Sequence, residues 1–376
     1  MKKLLYSLVF FVSVCTYSQK KTEIFESELL ESQRQFSVIL PPSYNTTKDR
    51  TYPVIYVLDG EYLLDPFNGT LQYGYYFDDL PEVILVGIHQ ENTRTIDSKA
   101  NDEGIPSEKS AKFFEFLTLE IIPFIDKNYR TTNYKAIAGH DATAGFLNFF
   151  LYKDNPVFNG YISLSPEFAF DMENRISDRL NIITKPISYF QVSSSSDDKA
   201  IFEKVQLLDQ KLKTISSATL SYKYIEINGF SHYSMVPIAI PQALYHLFKG
   251  YQPISKDEYK ELQKLDSGFV DFLSEKYKKI NANYGANLKI RLMDFLLIKN
   301  LIFISKAPDE LMNLEKLASK EYPKTKLSYY IESAYFEKIG NIDKAIKALE
   351  KSYSAKEIGM LTKSFLLEEI DRLRRL

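Results

Sequence analysis

Cysteine occurs once in the 376 residues, as Cys15, and tryptophan does not occur at all. One thiol excludes an intrachain disulfide framework. Beyond the N-terminus, no apolar run is long enough to span a bilayer as a helix. Neither sign of charge dominates, with 47 Lys plus Arg against 49 Asp plus Glu, so no basic excess points to a nucleic-acid partner. What the chain does have is apolar material, 45% of its residues, including 27 Tyr and 26 Phe. That suffices for a packed core and excludes a disordered or collagen-like chain; the length suggests two domains.

The N-terminus decides what Cys15 means. Met1-Lys2-Lys3 is a positive n-region, Leu4 to Val14 is a short apolar run, and Thr16-Tyr17-Ser18 places small residues at the −3 and −1 positions. Residues 1–18 therefore read as a secretory signal peptide cut between Ser18 and Gln19. Lipoprotein processing at Cys15 fits less well, because Val14 stands where a small residue belongs. Cleavage removes Lys2 and Lys3, leaving 45 basic and 49 acidic residues, a net charge of −4. The expected product is an exported, thiol-free protein of the periplasm or exterior, held by its core alone.

Within residues 19–250, short apolar runs alternate with amphipathic stretches, the pattern of a mostly parallel sheet covered by helices on both faces. Phe36 to Leu40 alternates like an exposed or edge strand ending at Pro41-Pro42. The runs 53–58 and 83–88 are nearly continuous apolar segments, as buried parallel strands are. Further strands are expected at 135–138, 157–164, 186–192 and 220–227, and a helix over 107–128 capped by Ser107. The fold class is thus α/β, a doubly wound sheet with its site at the carboxyl ends of the strands. Residues 251–376 lack strand patterning and read as a helical accessory domain after a linker at Gly250-Tyr-Gln-Pro253. Tyr329 to Tyr353, with Ala334, Gly340, Ala345 and Ala348, has the small-residue spacing of a tetratricopeptide unit, and of any close helical hairpin.

Lys135-Ala-Ile-Ala-Gly-His-Asp-Ala-Thr-Ala-Gly145 is a strand, a tight turn and a helix start. In hydrolases of the doubly wound class such a turn presents a nucleophile, and here it presents Asp141. An Asp at this position is also a frequent helix cap. His89 and His246 have no partner at metal-ligand spacing, so no metal and no other cofactor is assigned. Ser193 to Ser196 read as a loop, and Ser163 and Ser165 as a strand end without an elbow.

Several motifs in order carry a more specific likeness: Arg34 to Tyr44, Tyr52-Pro-Val-Ile-Tyr-Val-Leu-Asp-Gly-Glu61, Ile122 to Arg130, Ala138-Gly-His140 and Ile162-Ser-Leu-Ser-Pro166. Over residues 30–250 the chain resembles the bacterial esterase family that includes the esterase D and enterochelin-esterase-like α/β-hydrolases. That family's elbow reads Gly-His-Ser-x-Gly-Gly, whereas this chain has Asp141 for the serine and Thr143 for a glycine. The resemblance implies His232, after the last strand, as the histidine and Asp197 or Asp198 as the acid. It implies the backbone amides of Ala142 and of Gly60 or Glu61 as oxyanion donors. Where the family commonly places tryptophan after Ser-Pro, this chain has Glu167-Phe168-Ala169-Phe170, which makes Phe168 a candidate for an altered ligand wall.

Two functions follow from Asp141. In the first, the carboxylate attacks an alkyl carbon, and His232, oriented by Asp197 or Asp198, activates water to cleave the resulting ester. In the second, favoured by the loss of both serine and glycine, the protein is a non-catalytic descendant: the cleft binds a small, ester-like ligand and the helical domain a protein partner. Ordinary serine-esterase activity ranks below both.

Overall fold

The computed structural model describes residues 20–285 and 287–376. The expected signal peptide, Cys15 included, lies outside the described residues. Among the described residues eight strands form one sheet: β1 (Lys20–Ser27), β2 (Ser32–Ile39), β3 (Tyr52–Val57), β4 (Ile84–Ile88), β5 (Thr131–His140), β6 (Gly160–Leu164), β7 (Ile187–Ser194) and β8 (Leu220–Ile227). Their order is β1-β2-β4-β3-β5-β6-β7-β8. The pairs β1/β2 and β2/β4 are antiparallel, and all pairs from β4 to β8 are parallel.

The first strands correct one expectation. Phe36 to Leu40 is no edge: β2 is paired on both sides, and β1 carries the edge instead. The sequence Lys-Lys-Thr-Glu-Ile-Phe-Glu-Ser of β1 has little apolar alternation because the strand lies largely exposed, with Ile24 pointing to solvent. Its charged residues suit an edge that must not recruit another chain.

Among the described residues eight α-helices belong to the sheet region: α1 (Gly60–Tyr76), α2 (Arg94–Ser98), α3 (Glu108–Glu115), α4 (Ile122–Asn128), α5 (Ala142–Phe146), α6 (Met172–Ile182), α7 (Lys199–Leu212) and α8 (Val236–Leu247). Ser107 caps α3 by accepting from the Ser110 amide. The helix expected over 107–128 is interrupted by a π-helical turn at Phe116–Ile121. Pro123 explains the interruption, since it has no N–H to continue the α-helical ladder.

The two-residue period of the strands sorts their side chains into two cores. Val54 and Tyr56 of β3 join Phe113, Ile125, Ile176 and Leu208 on the face of α3, α4, α6 and α7. Ile55 and Val57 join Leu63, Phe67, Ala239 and Leu244 on the face of α1 and α8.

Seven further helices follow: α9 (Lys256–Leu262), α10 (Phe269–Tyr284), α11 (Leu292–Ile304), α12 (Glu310–Glu321), α13 (Lys326–Lys338), α14 (Ile342–Lys351) and α15 (Lys363–Leu373). Phe269, Leu273, Phe295 and Leu311 extend the α1/α8 core without a break. At the seam the Tyr284 ring meets Tyr134 of β5 edge-on at 5.2 Å and Phe248 at 5.4 Å. The expected linker is pinned: Tyr251 is buried, its ring lies 4.5 Å under the Arg291 guanidinium, and both side chains bond Asp78. The small residues Ala334, Ala345 and Ala348 are buried where α13 and α14 cross.

A shared core predicts shared unfolding. Phe248→Ala, which empties a fully buried site at the seam, is expected to cost about 3–5 kcal/mol. Sheet and helices should melt in one lowered calorimetric transition; two separated transitions would contradict a continuous core.

Candidate functional site

The turn after β5 puts a non-glycine residue in an unusual backbone state. Asp141 has φ 57° and ψ −119°, a conformation that costs about 1–3 kcal/mol and persists only where its surroundings enforce it. Here they do. The Asp141 amide donates to Leu164 O at 2.9 Å, and its carbonyl accepts from Gly145 N at 2.9 Å and Glu167 N at 3.1 Å. The neighbours must be small: a Cβ on Gly139 would stand 2.8 Å from the Thr143 carbonyl carbon, and one on Gly145 only 2.0 Å from Glu167 O.

The side chain of Asp141 does not cap the helix it precedes. Its Oδ2 accepts from Arg94 Nη1 at 3.2 Å, and its Oδ1 faces His232 Nε2 at 3.9 Å. Arg94, on the short helix α2, ties the site together. Its Nε and Nη2 donate to the two Asp59 oxygens at 2.7 and 3.3 Å, and Nη2 also donates to His140 O at 2.7 Å. Asp59, at the end of β3, is completely buried. It accepts two more hydrogen bonds, from Tyr62 at 2.9 Å and from Thr143 Oγ1 at 2.6 Å. Thr143 thus serves the buried carboxylate, while accepting from the His140 amide at 2.9 Å.

The acid is now assigned. Asp197, following β7, receives His232 Nδ1 on Oδ1 at 2.8 Å and the Ser194 amide on Oδ2 at 2.8 Å. Asp198 is not part of the site: its Oδ1 accepts from the Ala200 amide at 2.8 Å and caps α7. Two consecutive aspartates at a strand-to-helix turn divide the work, because adjacent side chains at such a turn diverge. Ser165, read from sequence as a bare strand end, belongs to the site. It holds φ 47°, donates from Oγ to Asp197 Oδ2 at 2.5 Å and touches His232 Nδ1 at 3.1 Å. It lies on the Nδ1 side of the ring, away from Asp141, so it fixes the acid and is not placed for nucleophilic attack.

These contacts set the charges. The Asp197 hydrogen bond raises the His232 pKa above the ordinary imidazole value, outweighing partial burial. Burial alone would raise Asp197, but the bonds from His232, Ser165 and the Ser194 amide hold it below the ordinary carboxyl range. His140, packed against His232 with ring centroids 4.5 Å apart and the planes tilted by 36°, is pushed down to about 4 by burial and by the charge of its neighbour. It is therefore neutral at neutral pH.

A cleft of about 490 Å³ opens beside Asp141, lined by Arg94, Ala142, Phe146, Phe149 and Phe168 among others. Ala142 and Phe168 are both among its lining residues. Gly60 and Glu61 do not line it. Gly60 opens α1 against β4, where a Cβ would meet the Gly87 carbonyl carbon at 2.7 Å, and Glu61 accepts from the Gln90 amide at 3.1 Å. Among the described residues no three His, Cys, Asp or Glu side chains are grouped to hold a metal ion, and no helix is long and apolar enough to cross a membrane.

The mostly parallel sheet, with the Asp141 turn after β5, the Asp197 carboxylate after β7 and His232 after β8, defines an α/β-hydrolase-type protein. Residues 27–168 match the Putative esterase family, and the sheet region has that family's fold. Over 119 residues, 28% of this chain, it is 31% identical to the uncharacterized protein YbbA of Bacillus subtilis strain 168, and the match spans only 44% of that relative's length. The solved structure of an uncharacterised protein from Capnocytophaga ochracea DSM 7271 is 26% identical, with a TM-score of 0.83 over 95% of this chain and 100% of its own. That coverage includes the helical region as well as the sheet. An IroE-like serine hydrolase from Shewanella oneidensis, 20% identical, shares the fold with a TM-score of 0.62 over 80% of this chain and 99% of its own.

The Asp197–His232 pair predicts a pH window. The contribution of His232 is complete below the unfolded imidazole value of about 6.5 and is lost as pH rises through its raised folded value. The contribution of Asp197 is present above the unfolded carboxyl value of about 3.9 and is lost as pH falls through its depressed folded value. The stability lost by Asp197→Asn should accordingly be greatest from about pH 4 to 6.5. In the same variant, the His232 resonance followed by NMR should titrate at lower pH than in the wild type.

Proposed function

We propose that this chain is an exported, non-hydrolytic descendant of the esterase-family fold, whose cleft binds a small ligand without cleaving it. The observation that carries this reading is the carboxylate at the turn, tied to Arg94 at 3.2 Å. A serine-type relay begins when the histidine takes a proton from the nucleophile. An ionised carboxylate has no proton to give, and its attack on an ester carbonyl would yield only a mixed anhydride. Arg94 further neutralises the oxygen that would attack. Thr143 supports the same reading, since its hydroxyl is committed to Asp59. The n-region and short apolar run of residues 1–18 support export, and the helical hairpins α12–α15 offer a surface for a protein partner.

A second reading rests on His232 Nε2 facing Asp141 Oδ1 at 3.9 Å, which puts a base beside a carboxylate. In it, Asp141 forms a C–O bond to an alkyl carbon while the carbon–halogen bond breaks and halide leaves. Water, deprotonated by His232, then adds to the carboxyl carbon of that ester; the alcohol departs and Asp141 is regenerated.

The wild-type protein is expected to turn over p-nitrophenyl acetate and bromoalkanes no faster than buffer. Ester hydrolysis that Asp141→Ala abolishes would overturn the non-hydrolytic reading, and an alkyl adduct trapped on Asp141 in the His232→Ala variant would establish the second one. Asp141→Ser supplies the missing hydroxyl next to an intact Asp197–His232 pair. It should acquire fluorophosphonate labelling at position 141, read by mass spectrometry, and lose it again when His232→Ala is added. No labelling would mean that His232 is not poised as a base.

A further inference from the structure

At the other end of the sheet from the Asp141 turn, a second cavity, of about 520 Å³, opens where the helices meet the amino ends of the parallel strands. Asn159 stands just before β6, Ser188 near the start of β7 and Ser221 near the start of β8; His246 and Lys249 come from the end of α8 and just beyond it, and Asn283 from the end of α10. These six polar side chains are half-buried or exposed, whereas Ile187, Leu247 and Tyr284 of the same lining are buried. Pro186 and Leu220 leave a small apolar rim. The accessible wall is thus largely polar, unlike that of a site for a hydrocarbon ligand.

Charge restricts what can enter. Among the described residues no carboxylate lines the cavity, and Lys249, which does line it, has no ion pair. Lys223 and Lys249 both act on the His246 ring, and Lys185, one residue before Pro186, donates only to the carbonyl oxygens of Pro156 at 2.7 Å and Val157 at 3.2 Å. None of the three lysines meets a carboxylate among the described residues. His246 adds no charge near neutrality, since burial lowers its pKa and the two lysines lower it further, against the bond from Nε2 to Ser221 O at 3.0 Å. An adjoining hollow shares Lys249, and its carboxylates are already paired, Glu258 with Lys276 at 2.8 Å and Glu275 with Lys278 at 3.2 Å. A positive field without a counter-charge favours an anion. The hydrogen-bonding groups refine the class. Asn159 accepts the Lys135 amide on its carbonyl at 3.3 Å, which leaves its N–H groups, like the side chains of Ser221 and Asn283, without a partner among the described residues. We propose that this cavity binds a hydroxyl-rich organic monoanion of the sugar-acid class, its carboxylate at Lys249 and its hydroxyls at Asn159, Ser221 and Asn283. A single lysine in the lining suits one negative charge, and the volume suits a ligand of this size. The site is separate from the Asp141 cleft and does not depend on how that cleft is read.

The test titrates the full wild-type chain calorimetrically with glucuronate, glucose and glucosamine, one ring carrying a negative, no or a positive charge, and with acetate, the carboxylate without the hydroxyls. The titrations are run at about pH 6.5, where an amine of this kind is charged. Glucuronate should bind saturably and about tenfold or more tightly than glucose, the difference expected for a charge-assisted hydrogen bond. It should exceed acetate by a similar factor, and glucosamine should bind no better than glucose. Lys249→Gln, an exposed substitution away from Asp141 and His232, should weaken glucuronate by about fivefold or more and leave glucose unchanged. Glucose or glucosamine binding as tightly as glucuronate would overturn the choice of an anion, and acetate doing so would overturn the sugar-acid class. Neither comparison needs a variant to fold. No saturable glucuronate binding, or equal glucuronate affinity in wild type and Lys249→Gln, would overturn the site itself.

Discussion

The carboxylate of Asp59 is the constraint around which the site is built. A charge with no exposure at all is tolerated only if it is fully bonded, and removing one partner of such a group costs several kcal/mol. Asp59 draws its donors from three separate places: Tyr62 one turn into α1, Arg94 on α2, and Thr143 inside the α5 turn. Each donor is thereby fixed. Because Arg94 is anchored on Asp59, its Nη1 donates to Asp141 and its Nη2 to the His140 carbonyl, and the strained turn inherits a counter-charge. The threonine that stands where the family has a glycine is part of this bonding, which makes the Asp141 and Thr143 departures physically linked through Asp59.

Much of the fold was legible because buried parallel strands announce themselves. The runs around Pro53 to Leu58 and Val83 to Ile88 fall within about one residue of β3 and β4, since both faces of those strands are covered and both sets of side chains are apolar. β1 was not legible for the opposite reason. An exposed edge strand earns its place by backbone pairing, and its Lys, Thr and Glu side chains leave no periodic apolar mark. The continuity of α9–α13 with the core on the α1/α8 face of the sheet was hidden too: the composition change at Gly250 marks where strands stop, while Tyr251 and Arg291 make that junction part of the core.

The site divides along similar lines. Asp141, His232 and the Asp197-Asp198 pair were findable because chain order after the strands constrains them. The choice between the two aspartates was not, since it depends on which carboxylate the turn directs at His232 and which at the α7 amides. Arg94 carried no spacing signal, because its partners lie 35 and 47 residues away in sequence. Ser165 had a weak one: a serine followed by proline at the end of the strand next to the acid's strand sits at the height of that acid. What sequence could not show is which ring nitrogen it approaches, and that separates a support for the acid from a nucleophile.

The persistence of the Asp197–His232 pair looks at first like an argument for catalysis, yet charge balance accounts for it as well. The cluster holds three carboxylates, Asp59, Asp141 and Asp197, against the one fixed cation Arg94. His140 contributes no charge near neutrality, because burial and its neighbour hold it unprotonated. The Asp197 hydrogen bond raises the His232 pKa above the ordinary imidazole value, and the other ring nitrogen, Nε2, faces Asp141 at 3.9 Å. In a serine hydrolase the histidine of such a pair must take up and release a proton at Nε2 in each cycle. Beside a carboxylate the charged form of the ring is favoured from both sides, by Asp197 at Nδ1 and by Asp141 facing Nε2, so the arrangement that makes a base for serine shifts the same ring toward its protonated form when the turn carries aspartate.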